Sequence, residues 1–147
     1  MNQRKGLLGG ILYIGIGTLI ILIPFFLFPV CGDTLELVSG RAVPMRCYWT
    51  AQSELAIGSC IIAAGLIHIF LHHSQAMAAI SILTAILGII AFLLCTFLIG
   101  VCQSVSMPCN AGTRPALIIA SVLVVLSSAV NLGINVRNIK NKECHDE

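Results

Sequence analysis

Four long runs of apolar residues divide the chain. The runs cover residues 7–29, 52–71, 77–101 and 115–136, and the only charged side chain within them is Glu54, near the start of the second. A helix needs about 20 consecutive apolar residues to cross the roughly 30 Å hydrocarbon core of a bilayer. The pattern therefore predicts an all-α membrane protein, a bundle of four transmembrane helices that forms one domain over residues 1–147 in the lipid bilayer.

Composition excludes several classes of protein. Hydrophobic residues make up 58% of the chain and charged residues 10%, whereas charged residues are about 25% of an ordinary soluble domain. This balance excludes a soluble globular enzyme and a disordered chain, because neither exposes so little polar surface. The net charge of +2 is too small for a nucleic-acid binder, so no nucleic-acid partner is expected.

The basic residues predict the orientation of the helices. Five of the eight lie beside the chain termini (Arg4, Lys5, Arg137, Lys140 and Lys142), and three lie in the connections of the opposite side (Arg41, Arg46 and Arg114). Because Lys and Arg are enriched on the cytoplasmic side of a membrane, both termini are predicted in the cytoplasm. The connections over 30–51 and 102–114 are then outer loops of a multi-pass protein of the plasma membrane.

Four of the seven cysteines lie in or beside the two outer loops: Cys31, Cys47, Cys102 and Cys109. Disulfides persist in oxidising compartments outside the cytoplasm, so these four are the disulfide candidates. Four cysteines allow three pairings, among which the sequence does not decide. Each bond is expected to contribute about 2–4 kcal/mol.

The two halves of the chain resemble each other around these cysteines. Val-Cys followed by Met-x-Cys occurs once with Cys31 and Cys47, and again with Cys102 and Cys109. Aligning Cys31 with Cys102 also aligns Gly17 with Gly88. This pattern is consistent with a tandem repeat of a helical hairpin about an axis along the membrane normal. The alternative is a chance match in an apolar background.

The Met-x-Cys pairs allow a second interpretation. Thioether and thiolate ligands suit Cu(I), so Met45, Cys47, Met107 and Cys109 form an alternative metal site. The two interpretations exclude each other for any one cysteine, because a metal binds the thiolate. The main expectation is that no cofactor is needed.

A third interpretation is redox catalysis. The predicted layout has four helices, both termini inside and two cysteines per outer loop, and it resembles that of bacterial quinone-linked membrane proteins that form disulfides. On this interpretation the chain is an outer-face thiol-disulfide oxidoreductase whose cofactor is a quinone. The chain has no C-x-x-C motif, which is the usual means of activating a thiol for exchange. Arg46 beside Cys47 is the one basic neighbour that favours a thiolate.

Three candidates for contact with a partner lie at the end of the first outer loop and the start of the second apolar run: Arg46, Trp49 and Glu54. Trp49 is at the water boundary, the ordinary place for an aromatic anchor. A charge such as Glu54 is expensive in the membrane and points to a partner, although at this depth its side chain is also expected to reach water. His68 and His72 share a helix face, and we expect them at a polar helix end that meets water.

The segment from Met45 through Cys47, Trp49 and Thr50 to Glu54 resembles a bacterial family of small four-span membrane proteins of unknown function, whose members carry a similar M-x-C-x-W-T-x-x-x-E stretch after the first span. The resemblance implies the fold and no mechanism. Genes of the family tend to lie near those of ABC transporter components, which implies an accessory role.

These observations predict a non-catalytic membrane protein that binds other membrane proteins. Apart from Glu54, no Asp, Glu, Lys or Arg lies within a span, and channels and proton-coupled carriers normally need such groups. We therefore expect an accessory subunit of a transporter-like assembly with disulfide-stapled outer loops. The sequence leaves open whether the chain also forms a homo-oligomer.

Overall fold

The computed structural model describes residues 2–27, 34–36, 42–44, 46–71, 73–98 and 112–143. Four of its helices are long and apolar enough to cross a membrane, over Gly6–Leu27, Cys47–Phe70, Ser74–Leu98 and Arg114–Lys140. The prediction of an all-α membrane protein with four transmembrane helices is therefore confirmed. The cytoplasmic position of the termini and the tandem repeat stay predictions.

The helices run as follows: α1 over Asn2–Leu22, α2 over Arg46–Phe70, α3 over Ser74–Leu93 and α4 over Arg114–Glu143. Two of them continue into a π-helical segment, Ile23–Leu27 after α1 and Leu94–Leu98 after α3. Helix α2 begins well before position 52, where the apolar run starts. Cys47 and Thr50 in these early turns are buried, so polar residues extend the helix beyond its apolar run.

A short hairpin lies in the connection between α1 and α2. Strand β1 (Thr34–Glu36) pairs antiparallel with β2 (Ala42–Pro44), with Thr34 opposite Pro44 and Glu36 opposite Ala42. Pro44, which lacks a backbone N–H, occupies the end of its strand, where proline is tolerated. The sequence pattern had indicated no strand in this loop.

Helices α1 and α2 approach each other closely at two pairs of glycines. A Cβ atom on Gly10 would lie 2.8 Å from the carbonyl oxygen of Gly65, and one on Gly17 would lie 3.0 Å from that of Gly58. Small residues let membrane helices pack backbone to backbone. These contacts set α1 and α2 antiparallel in a fixed register. We call the end of the bundle where α1 begins the terminal end, and the opposite end the distal end.

An apolar cluster fills the middle of the bundle, with Ile20, Ile57, Ala91, Ala120 and Val124 among its members. Every helix contributes to it, so the four helices share one interior. The opposite helix faces carry large exposed apolar side chains, as expected of surfaces that meet lipid.

The positions of the two π-helical segments agree with the alignment that relates the two halves of the sequence. The segments begin at Ile23 and Leu94, which lie 71 positions apart, as do Cys31 and Cys102. Gly17 and Gly88, also 71 positions apart, are both buried. The tandem repeat stays a prediction, and this agreement supports it.

Candidate functional site

A carboxyl group and a thiol meet inside the distal part of the bundle. Glu54 lies seven residues after Cys47, where the second span begins, and is only 1% exposed. Cys95, in the π-helical segment after α3, donates its S–H to Glu54 Oε1 over 3.2 Å. The expectation that the Glu54 side chain reaches water was wrong. Glu54 shares a helix face with Cys47 and Thr50, and all three are buried.

A second polar group lies toward the terminal end, and its three hydrogen-bonded members come from three helices. Asn131 of α4 donates its Nδ2–H to Tyr13 Oη over 3.2 Å. Tyr13 of α1 donates its O–H to Ser81 Oγ over 3.4 Å, and Ser81 of α3 donates to the carbonyl of Met77 over 3.0 Å. The direction of each bond follows because a carbonyl accepts only. This chain of donors joins α4 to α1 and α1 to α3.

His68 adds the fourth helix to this terminal group. Its ring lies edge-on to that of Tyr13, with centroids 5.6 Å apart, and its Nδ1 lies 3.2 Å from the carbonyl oxygen of Gly6. The expectation that His68 meets water was wrong, since it is 1% exposed. The ring packs against α1, where a backbone carbonyl satisfies one ring nitrogen. His72 lies outside the described residues.

Both polar groups fall within the range that matches a known family. A family model described as a domain of unknown function, DUF4418, matches residues 13–134, a range that begins at Tyr13 and includes Asn131. The chain belongs to the DUF4418 family. No curated protein and no solved structure is significantly similar to it. Membership therefore assigns the chain to a family without adding an activity.

The structure of this DUF4418 chain describes the side chains of two of the three residues predicted to contact a partner, Trp49 and Glu54. Trp49 is 56% exposed at the start of α2, with the ring of Tyr48 edge-on at 6.0 Å. Arg46 is the first residue of α2, and its side chain lies outside the description. Trp49 and Glu54 point away from each other, one outward and one into the bundle, so they do not form one surface.

Most of the predicted cysteine chemistry falls on residues that the structure does not describe: Cys31, Met45, Cys102, Met107 and Cys109. Cys47 is described and buried. The disulfides and the copper site therefore stay predictions. Within the described ranges, no group of three or more His, Cys, Asp or Glu side chains is arranged to hold a metal ion.

Sequence reasoning had not singled out Tyr13, Ser81, Cys95 and Asn131. For three of them, the sequence did contain a signal, which is that they lie at similar depths from the same end of their predicted spans. Tyr13 and Ser81 each lie seven residues after the start of their spans, and Asn131 lies nine before the end of its span. At a rise of 1.5 Å per residue, these positions are about 11–14 Å from the same end of the bundle.

Proposed function

We propose that this DUF4418 protein is a non-catalytic accessory subunit in the plasma membrane, which binds another membrane protein through the lipid-facing surface of α2. The observation that supports this proposal is the small size of the exposed side chains there. Ala56, Ser59, Cys60 and Ala63 follow one another at helical spacing on this face, and all four are exposed. We call this set the α2 small-residue face.

Helix α3 provides the contrast. Over the same depth, the exposed face of α3 carries large side chains, including Ile82, Ile86 and Ile89. Lipid tails do not require small residues, whereas a second helix approaches more closely where side chains are small. Two large exposed side chains lie beyond the α2 small-residue face, Trp49 toward the distal end of the helix and Phe70 toward its terminal end.

A component of an ABC transporter is the partner class that we propose, in agreement with the gene neighbourhood of the resembling family. The outer loops would be stapled by disulfides among Cys31, Cys47, Cys102 and Cys109 in such a subunit. These bonds hold the loops and are not required for contact at the α2 small-residue face, so the two parts of the proposal are tested separately.

The direct test places a photo-crosslinking amino acid in the membrane-embedded surface. Ala56→p-benzoylphenylalanine puts the probe on the α2 small-residue face, and Ile86→p-benzoylphenylalanine puts it on the exposed face of α3 as a matched control. After irradiation of native membranes, we expect the Ala56 probe to form a product of defined mass that contains a transporter component, and the Ile86 probe to form none.

Two outcomes contradict the proposal. One is that both probes give the same products, because contact would then not be specific to α2. The other is that the Ala56 probe crosslinks only to a second copy of the chain, which would make the face a homo-oligomer interface. Ala63→Phe, compared with Ile86→Phe, provides a second measurement, since the added bulk is expected to abolish co-purification of the partner only on α2.

A further inference from the structure

The lipid-facing side of α4 continues beyond its apolar part into two basic residues. Leu126, Val130 and Gly133 follow one another at helical spacing and are exposed. Arg137 and Lys140 continue the same row toward the terminal end, and both are exposed as well. Residues spaced by three and four positions in turn lie on one side of a helix. The two basic side chains therefore face the surroundings of the bundle and not its interior.

These two residues lie at the level of the lipid headgroups. The apolar run of α4 begins at Pro115, and the hydrocarbon core of a bilayer is about 30 Å thick. At a rise of 1.5 Å per residue, Arg137 lies about 33 Å from Pro115 along the helix, and Lys140 about 38 Å. The headgroup layer extends about 5–8 Å beyond the hydrocarbon on each side. Both positions therefore fall within that layer.

The start of α1 brings further basic positions to the same level. A Cβ atom on Gly9 would lie 2.6 Å from Asn131 Oδ1, so α1 and α4 are in contact there. Toward the terminal end, Lys5 lies four residues from Gly9 and Arg137 six residues from Asn131, about 6 and 9 Å along the two helices. Arg4 precedes Lys5, and the side chains of both lie outside the description. Basic positions of two neighbouring helices thus share the headgroup level.

Acidic residues do not offset these charges within the spans and their ends. The stretches 2–10, 66–80 and 131–142, which form the terminal end of the four helices, contain no Asp or Glu. The nearest acidic residue along α4 is Glu143, three residues after Lys140 and six after Arg137. The lipid-facing side of α4 therefore ends in a positively charged surface at the depth where lipid phosphates lie.

We propose that the terminal end of α4 binds one anionic phospholipid, with its phosphate on Arg137 and Lys140 and an acyl chain against Gly133. Charge complementarity supports this occupant, because a guanidinium group offers phosphate oxygens two parallel N–H bonds and Lys140 adds a second positive charge. A Cβ atom on Gly133 would find no atom within 4 Å, so there is room for an acyl chain beside the helix, one turn below the headgroup.

The class of lipid follows from net charge. A phosphatidylcholine headgroup carries the same phosphate together with a positive group of its own, whereas a phosphatidylglycerol headgroup carries the phosphate alone. A basic surface therefore favours the anionic lipid. This site lies on α4 and shares no residue with the α2 small-residue face, so the lipid site and the proposed function succeed or fail separately.

The test compares two lipids with equal acyl chains on the purified protein. Delipidated protein in detergent is titrated with dioleoyl-phosphatidylglycerol or with dioleoyl-phosphatidylcholine, and native mass spectrometry counts the lipids bound to each chain. We expect the first phosphatidylglycerol to bind more tightly than the first phosphatidylcholine. Equal affinities for the two lipids overturn the proposal, and this comparison needs no variant.

Substitutions then locate the headgroup. Each basic residue near an anionic lipid is expected to contribute about fivefold in affinity, so Arg137→Gln should weaken phosphatidylglycerol binding by about that factor. Adding Lys140→Gln should weaken it further, and neither change should alter phosphatidylcholine binding. Both residues are exposed, so the melting temperature in detergent is expected to stay close to that of the wild type.

Arg114→Gln is the matched control, since it removes the same charge from the other end of the same helix. Arg114 is exposed, and its charge acts on Cys95, the partner of the Glu54 carboxyl group. An acidic group thus lies close to Arg114, and we expect this variant to bind phosphatidylglycerol like the wild type. Equal losses in Arg114→Gln and Arg137→Gln would reflect net charge alone and would contradict a site at the terminal end.

The same spectra test the acyl chain and the other possible occupant. Gly133→Leu fills the space beside α4 without a change of charge and is expected to weaken phosphatidylglycerol binding. Gly15→Leu, at an equally open position on α1, is expected to leave it unchanged. Equal binding by these two variants contradicts the position of the acyl chain. A dimer of the chain that Arg137→Gln dissociates, with no preference for phosphatidylglycerol, would assign the surface to a second copy and overturn the lipid site.

Discussion

Asn131 and Tyr13 join the last helix of the bundle to the first, through a bond of 3.2 Å from the amide Nδ2 to the phenol oxygen. The same phenol donates to Ser81 on α3. Tyr13→Phe removes both bonds and keeps the ring that contacts His68. Hydrogen bonds inside membrane bundles contribute about 0.6 kcal/mol each on average. We therefore expect Tyr13→Phe to lower the free energy of unfolding in mixed micelles by about 1 kcal/mol.

Thr18→Val is the control for this loss. The Thr18 hydroxyl donates to the carbonyl of Ile14 in its own helix and is exposed, so its removal breaks no contact between helices. A double-mutant cycle that combines Tyr13→Phe with Ser81→Ala isolates the bond between α1 and α3. Additive effects of the two substitutions would show that this bond contributes nothing to stability.

The close approach of α1 and α2 predicts a position-specific effect of bulk. A side chain added at Gly17 would meet the backbone of Gly58, whereas a Cβ on Gly15 finds no neighbouring atom within 4 Å. Overpacking a buried contact typically costs about 1–3 kcal/mol. We expect Gly17→Leu to lower the melting temperature in detergent well below that of Gly15→Leu. Equal melting temperatures would contradict the packing of α1 on α2.

The architecture could be predicted from sequence because a bilayer admits only helices and closed barrels, and continuous apolar runs of about 20 residues do not fit the shorter, alternating strands of a barrel. Long apolar runs in a bilayer must be helical, since unpaired backbone groups are too costly there. The helix ends could not be predicted as well. Hydropathy marks only the apolar part of α2, and the turns that contain Cys47 and Thr50 form a helix because their polar side chains face the interior.

The candidate site was harder to predict, because it depends on which way each helix face turns. Glu54 was recognised from sequence as a charge near the membrane, and yet its burial depends on Cys95, 41 residues later in the chain. His68 looked like a polar helix end for the same reason. Facing directions in an apolar helix follow from contacts between helices, and one sequence does not contain those contacts in readable form.

The burial of Cys95 and the exposure of Cys60 predict different rates of modification. Both thiols are free, Cys60 on the exposed surface of α2 and Cys95 inside the bundle. In detergent, a small maleimide should reach Cys60 in the folded protein, and should reach Cys95 only after unfolding. Peptide mapping after timed labelling measures both sites in one sample. Equal labelling of the two thiols before unfolding would contradict the buried position of Cys95.

The four cysteines of the predicted outer loops should be oxidised in the mature protein. Because disulfides form outside the cytoplasm, we expect intact-mass analysis after alkylation to show two bonds among Cys31, Cys47, Cys102 and Cys109, and three free thiols at Cys60, Cys95 and Cys144. Reduction should then expose four more alkylation sites and lower the free energy of unfolding by about 2–4 kcal/mol per bond. Metal analysis of the same sample separates the alternatives. Stoichiometric copper, together with Cys47 and Cys109 that are not oxidised, would contradict the stapled loops, because a thiolate bound to metal is not available for a disulfide. That result would support a soft-metal site that also includes Met45 and Met107.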